Sequence, residues 1–341
     1  MANLCRPFSH FLVRRHSISE PPSRRPSLCL HLRIRALSTP AEIAHQFRFF
    51  RVYKDGRLER SHPPSYKVPP FTDPSTGVQS KDVVISSEPH ISARIFLPRI
   101  QDPSRRLPVM FYVHGGGFCF ESAFSSNIHN YVSTVAAEAE AVAVSVEYRL
   151  ALEHPIPACY DDSWAALQWA ASHINGTGPE QWLNSHTDFD RLFLAGDSAG
   201  GNIAHDLAVR VGSGRLGSRL EKVAGMVMVH PFFGGTEDDA MWLYMCPENG
   251  GLKDPRLRPR PDEYRQVGCR RVLVFVAEKD HLRKVGRRYV EELRKSGWRG
   301  RVELVENEGE EHCFHISDLK HGKAVALVKK FASFIKLERD V

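Results

Sequence analysis

The sequence predicts one doubly wound α/β sheet of eight strands, mostly parallel, with helices on both faces. Three observations predict it. Short apolar runs recur along residues 82–305, and uninterrupted apolar strands belong to sheets covered on both sides. From the third run onward, helical patterns alternate with the strands, which is the signature of a mainly parallel sheet. The pentapeptide Gly196-Asp-Ser-Ala-Gly200 stands where a strand runs into a helix.

The strands are expected at 82–87, 91–97, 109–113, 141–146, 192–195, 223–229, 272–277 and 302–305. The first two are close enough in sequence to pair antiparallel. Helices are expected at 128–140, 160–172, 202–211, 285–296 and 322–335. Upstream, 41–47 reads as a short amphipathic helix and 49–57 as an extended segment with the Asp55-Gly56 turn near its end. Pro63, Pro64, Pro69 and Pro70 make the next stretch a loop. Residues 175–190 read as a polar connection, and 236–261, rich in proline and charge, as an excursion from the sheet.

At 341 residues the chain is long enough for one large domain or two small ones. Its net charge of +6 is localised. Residues 1–38 hold seven arginines, no lysine and one acid, Glu20, so they carry the whole excess and the rest is balanced. A nucleic-acid-binding face on the folded body is therefore not expected. The leader is rich in arginine and serine, the composition of an organelle transit peptide, with a disordered extension as the alternative. It is set apart from the folded domain, 39–341. The expected compartment is the cytoplasm, or a plastid or mitochondrion if the leader is a transit peptide. No run approaches the ~18 apolar residues of a membrane span. The seven cysteines are scattered without a C-x-x-C, and His312-Cys-Phe-His315 lacks a second ligand pair nearby. Neither a disulfide framework, a metal nor a cofactor is expected.

The chemistry centres on Gly196–Gly200. A turn this sharp forces its serine into a strained backbone, and a side chain at either flanking glycine would collide with neighbouring elements. Ser198 is thus the candidate nucleophile. A serine hydroxyl needs a base to take its proton, and that base needs a carboxylate to orient it. Asp280 follows the seventh strand and His312 the eighth, in the order serine, acid, histidine. Asp254 is the rival acid and His315 the rival base. His114-Gly-Gly-Gly117 ends the third strand, where backbone N–H groups can meet an oxyanion. Gly115, Gly116 and Ala199 are the expected donors. Cys119 and Cys313 read as pocket-wall or packing residues.

Taken together, His114–Phe118, Tyr148–Pro155, Tyr160–Asp162, Gly196–Asn202, Ala277–Asp280 and Glu311–Phe314 resemble the hormone-sensitive-lipase-like group of α/β-hydrolases. Within it, the chain is most similar to the plant carboxylesterase family, which also contains gibberellin receptors and 2-hydroxyisoflavanone dehydratases. Phe50–Arg57 and Thr76–Val84 fit that family's N-terminal part, so the resemblance covers about residues 41–340. It implies an α/β-hydrolase fold, hydrolysis of a small ester through an acyl-enzyme, a lid at 39–75, and a pocket border at 236–262. It implies that Tyr148–Pro155 and Asp161/Asp162 are framework. A dehydratase-like lyase is the alternative, since the same base and donors serve both. The receptors lose the base at the position of His312, which disfavours that reading here. Leu152 stands where the family usually has proline, and the segment after His230–Gly235 looks shorter than usual. The first relaxes its loop slightly; the second borders the pocket in relatives and so bears on substrate preference. Oligomeric state is left open.

Overall fold

In the computed structural model, residues 42–63, 65–217 and 223–337 are described. The leader therefore lies outside the described residues. Three short strands come first: β1 (Ile43–Gln46), β2 (Phe50–Tyr53) and β3 (Leu58–Arg60), an antiparallel sheet in that order. This corrects the helix expected at 41–47. All four β1 residues are exposed, so no apolar face exists to drive a helix onto the body. Pairing with β2, Ile43 opposite Tyr53 and Gln46 opposite Arg51, decides the conformation instead.

The main sheet contains β4 (Gln79–Ser87), β5 (His90–Leu97), β6 (Leu107–Val113), β7 (Val142–Glu147), β8 (Thr187–Asp197), β9 (Gly225–Val229), β10 (Arg271–Ala277) and β11 (Arg301–Asn307). Their spatial order is β11-β10-β9-β8-β6-β7-β5-β4. Only β4–β5 and β5–β7 pair antiparallel; the other five pairings are parallel. The eight expected strands are all present. β8 starts five residues earlier than expected, and a short helix, α3 (Gln181–His186), leads into it, so 175–190 is more than a connection.

Helices α1 (Ser126–Ala139) and α9 (Gly322–Lys336) cover one face of this sheet, packing Tyr131, Val132, Leu327 and Phe331 against Met110, Phe193 and Leu273. Helices α2 (Ala158–Ala171), α4 (Ala199–Gly212) and α7 (Arg283–Lys295) cover the other, packing Leu167, Ile203, Leu207 and Leu293 against Phe111, Leu194 and Val274. Each fully buried Val, Leu or Phe contributes about 1.5–3 kcal/mol. β6 is buried at every position, which locks the strand that ends in His114. The excursion 236–261 holds α5 (Asp239–Met245) and a single 3-10 turn at Gly251–Lys253, with no strand, as expected. α6 (Pro261–Gln266) follows it, and α8 (Phe314–Ser317) follows the loop after β11. The carboxyl ends of β6, β8, β10 and β11 converge on one side, where doubly wound sheets bind ligands.

Candidate active site

Ser198 sits between the last residue of β8 and the first of α4, with φ 51° and ψ −117°. That left-handed, strained backbone is held from both sides. Ser198 N–H donates to the Val229 carbonyl at 2.9 Å, and its carbonyl accepts from Phe232 N–H at 3.0 Å. A Cβ on Gly196 would overlap the Gly200 carbonyl, and one on Gly200 would overlap the Val113 carbonyl. Both flanks of the elbow must therefore be glycine. The N–H groups at the start of α4 favour negative charge beside the hydroxyl.

The loops after β10 and β11 are tied together, Glu278 N–H donating to Asn307 O and Lys279 N–H to Glu310 O. They bring Asp280 and His312 to the serine. His312 Nδ1 lies 2.8 Å from Asp280 Oδ2, and Nε2 lies 3.0 Å from Ser198 Oγ. A carboxylate only accepts, so Nδ1 carries the proton and Nε2 faces the hydroxyl as acceptor. Asp280 is buried and also accepts from Leu282 N–H at 2.8 Å. Burial opposes its charge, but His281 and His312 outweigh that and hold its carboxyl well below the usual carboxylate range.

The rivals are elsewhere. Asp254 is buried against Arg256 and the Gly250 N–H. His315 is fully buried against Tyr131, with no partner for either nitrogen among the described residues. Cys119 is buried, its thiol pushed up to about 12 by burial. The Cys313 Sγ is 3.4 Å from His312 Nε2, and burial likewise raises its thiol. His230, His312 and Cys313 bring possible ligand atoms within 4.8 Å of one another. However, His230 Nδ1 accepts from the Cys313 N–H, and His312 is engaged on both nitrogens.

The glycine loop corrects one expected donor. Gly115 N–H donates to Asp197 Oδ1 at 3.1 Å, and a Cβ at this position would overlap that carboxylate. It is not free to meet an oxyanion. Gly116 and Gly117 have positive φ, 96° and 55°, and Gly117 borders the cavity. Their N–H groups have no acceptor among the described residues, and that of Ala199 is one of the orphan donors at the start of α4. Asp197 also accepts from the Tyr112 hydroxyl, and burial raises its carboxyl. Tyr148 OH donates to the carbonyls of His114 and Gly115, and its ring stacks on His114 at 4.2 Å. Sequence reasoning missed the supporting roles of Asp197 and Tyr112, although Asp197 is inside the elbow motif. Asp162 fits the framework expectation: it is buried and bound by Arg149 at 2.7 Å.

Ser198 and His312 open on a cavity of about 420 Å³. Phe118, Phe232, Met241 and Trp242 form apolar wall, and Arg48, Asp238 and His281 form polar wall. A larger hollow of about 810 Å³, bounded by Arg60, Phe120 and Glu153, borders neither Ser198 nor His312.

A family profile for the α/β hydrolase fold matches residues 110–316. The chain is 43% identical over 305 residues to probable carboxylesterase 1 of Arabidopsis thaliana, covering 85% of this chain and 96% of that protein. It is 42% identical to a 2-hydroxyisoflavanone dehydratase of Glycyrrhiza echinata, covering 84% of this chain and 93% of that one. Among solved structures, an esterase from Pyrobaculum calidifontis matches with a TM-score of 0.62 at 27% identity, covering 76% of this chain and 85% of its own.

Proposed function

The chain belongs to the plant carboxylesterase family of α/β-hydrolases, and from that membership we propose a specific division of labour at the cavity. It is a carboxylic ester hydrolase. Ser198 Oγ attacks the ester carbonyl while His312 Nε2 takes its proton. His312 then returns the proton to the leaving alcohol. Asp280 keeps the imidazole in the productive tautomer and stabilises its cation. Water activated by the same imidazole releases the acid from the acyl-enzyme. The N–H groups of Gly116, Gly117 and Ala199 meet the tetrahedral oxygen, each contributing about 2.7–4 kcal/mol to the transition state. The single observation that carries this reading is the unbroken contact series from Asp280 through His312 to Ser198, at 2.8 and 3.0 Å.

The apolar walls and the size of the cavity support a small ester as substrate. We read 39–75 as the lid, since Arg48 and Phe49 border the cavity, and 236–262 as its second border through Asp238, Met241 and Trp242. The leader is read as an organelle-directing segment on its composition, which the N-terminus of the protein from its native tissue tests.

Ser198→Ala tests the assignment. Hydrolysis of a short-chain nitrophenyl ester should fall roughly 10⁴–10⁶-fold in kcat. Activity near that of the wild type would remove Ser198 as the nucleophile. Likeness to a dehydratase makes water elimination the second reading, and product analysis with a 2-hydroxyisoflavanone beside aryl esters separates the two.

A further inference from the structure

One wall of the cavity carries a row of alternating charges. His281 follows Asp280 directly, and its ring lies between two carboxylates. Nε2 is 2.9 Å from Asp238 Oδ2, and Nδ1 is 3.2 Å from Asp280 Oδ1. Asp238 is buried at the start of α5 and also accepts from Arg48 Nε at 2.9 Å. Arg48, between β1 and β2, reaches Glu237 as well. Asp280 spends its other oxygen on His312. A neutral imidazole has a single N–H, so a ring with a carboxylate at each nitrogen is satisfied on both sides only as the cation.

We infer that His281 is a positioning residue for ester hydrolysis: a fixed imidazolium that anchors the Asp280 carboxylate, sets the pH range in which His312 serves as base, and ties the Arg48 segment to the triad through Asp238. This rests on the assignment of Ser198, His312 and Asp280 given above. The two rings are 5.5 Å apart, so a charge on His281 and a charge on His312 repel one another. His281 also competes for the same carboxylate. Asp238 and then Asp280 raise the His281 ring to about 9, against burial and the Arg48 charge, so the cation persists through neutral pH. Other titratable groups face this pair. Cys313 approaches His312, with Asp197 behind its thiol, and His230 and His315 lie behind the ring, both kept neutral by burial. Lys279, Glu237 and Glu311 stand on the cavity wall.

The pH dependence of kcat/KM for a nitrophenyl ester, measured on the full chain, tests this. In His281→Gln the acid limb should move to higher pH by about 0.5–1 unit. His281→Arg, which keeps a cation, should recover at least about half of that shift. An acid limb unmoved in His281→Gln overturns the inference, whether or not kcat falls. Should that variant fail to fold, ¹⁵N spectra of the ring nitrogens in the wild-type chain give the answer. Both nitrogens of His281 protonated at about pH 7.5 supports it, and a neutral ring overturns it. An unmoved limb beside an inactive Ser198→Ala removes only the role of His281. An active Ser198→Ala removes the assignment beneath it.

Discussion

His312 Nε2 lies 3.0 Å from Ser198 Oγ, whereas His315, three residues on, points away into the core with neither nitrogen bonded among the described residues. Cys313, in a left-handed conformation at φ 54°, turns the chain between them. The two histidines should therefore part company on mutation. His312→Ala should lower kcat roughly 10⁴-fold or more. His315→Leu should leave kcat within a few-fold and not cost stability, because it removes an unpartnered buried polar ring. Steady-state kinetics and thermal unfolding of both variants check this.

Tyr112 supports the glycine loop at one remove. Its hydroxyl donates to Asp197, and Asp197 in turn fixes Gly115. Tyr112→Phe leaves a buried carboxylate short of a donor, which costs about 1–3 kcal/mol. The denaturant midpoint should fall, and kcat should fall with KM less affected, as expected if the loop that meets the oxyanion loses precision. A midpoint equal to that of the wild type contradicts this.

Asp162 is buried and depends on Arg149, which contacts both carboxylate oxygens through Nε and Nη2 and through its own N–H. Arg149→Ala removes the guanidinium and leaves a buried charge with only the backbone donor. The expected loss is about 3–5 kcal/mol, read from urea unfolding. Asp162→Asn, which keeps shape but not charge, should cost less.

Acid should unfold the protein steeply. Burial holds His205 and His230 down to about 3 in the folded chain, whereas an unfolded histidine titrates near 6.5. Folded pKa values below unfolded ones give stability that is complete above about pH 6.5 and is lost as pH falls toward 3. Two such rings give a slope of roughly 2.7 kcal/mol per pH unit between about pH 6 and pH 4. His281 has the opposite sign: its contribution is complete below about 6.5 and is lost as pH rises through about 9. Unfolding free energy measured from pH 4 to pH 10 should show both flanks.

Much of this was legible in the sequence, for local reasons. Strands such as Val109–Val113 and Val272–Ala277 are buried on both faces, so they read as continuous apolar runs. The elbow is contiguous, and its glycines carry their own steric argument. β1 was misread because its exposed residues have no apolar periodicity, and only pairing with β2 gives it shape. The choice among Gly115, Gly116 and Gly117 was illegible, since it turns on a carboxylate 82 residues away. The link between His281 and Asp238 left no trace either, because polar residues in two loops look alike until the fold joins them.

The antiparallel strands before the main sheet set a limit for anyone shortening this chain. Phe49 closes over Gly117, and Arg48 reaches Asp238, so part of the reaction chamber is built from residues that precede the catalytic fold. A protein begun after residue 50 would keep its elbow, acid and base. It would nonetheless present them in an open trough, where the ester has one wall fewer to lean on.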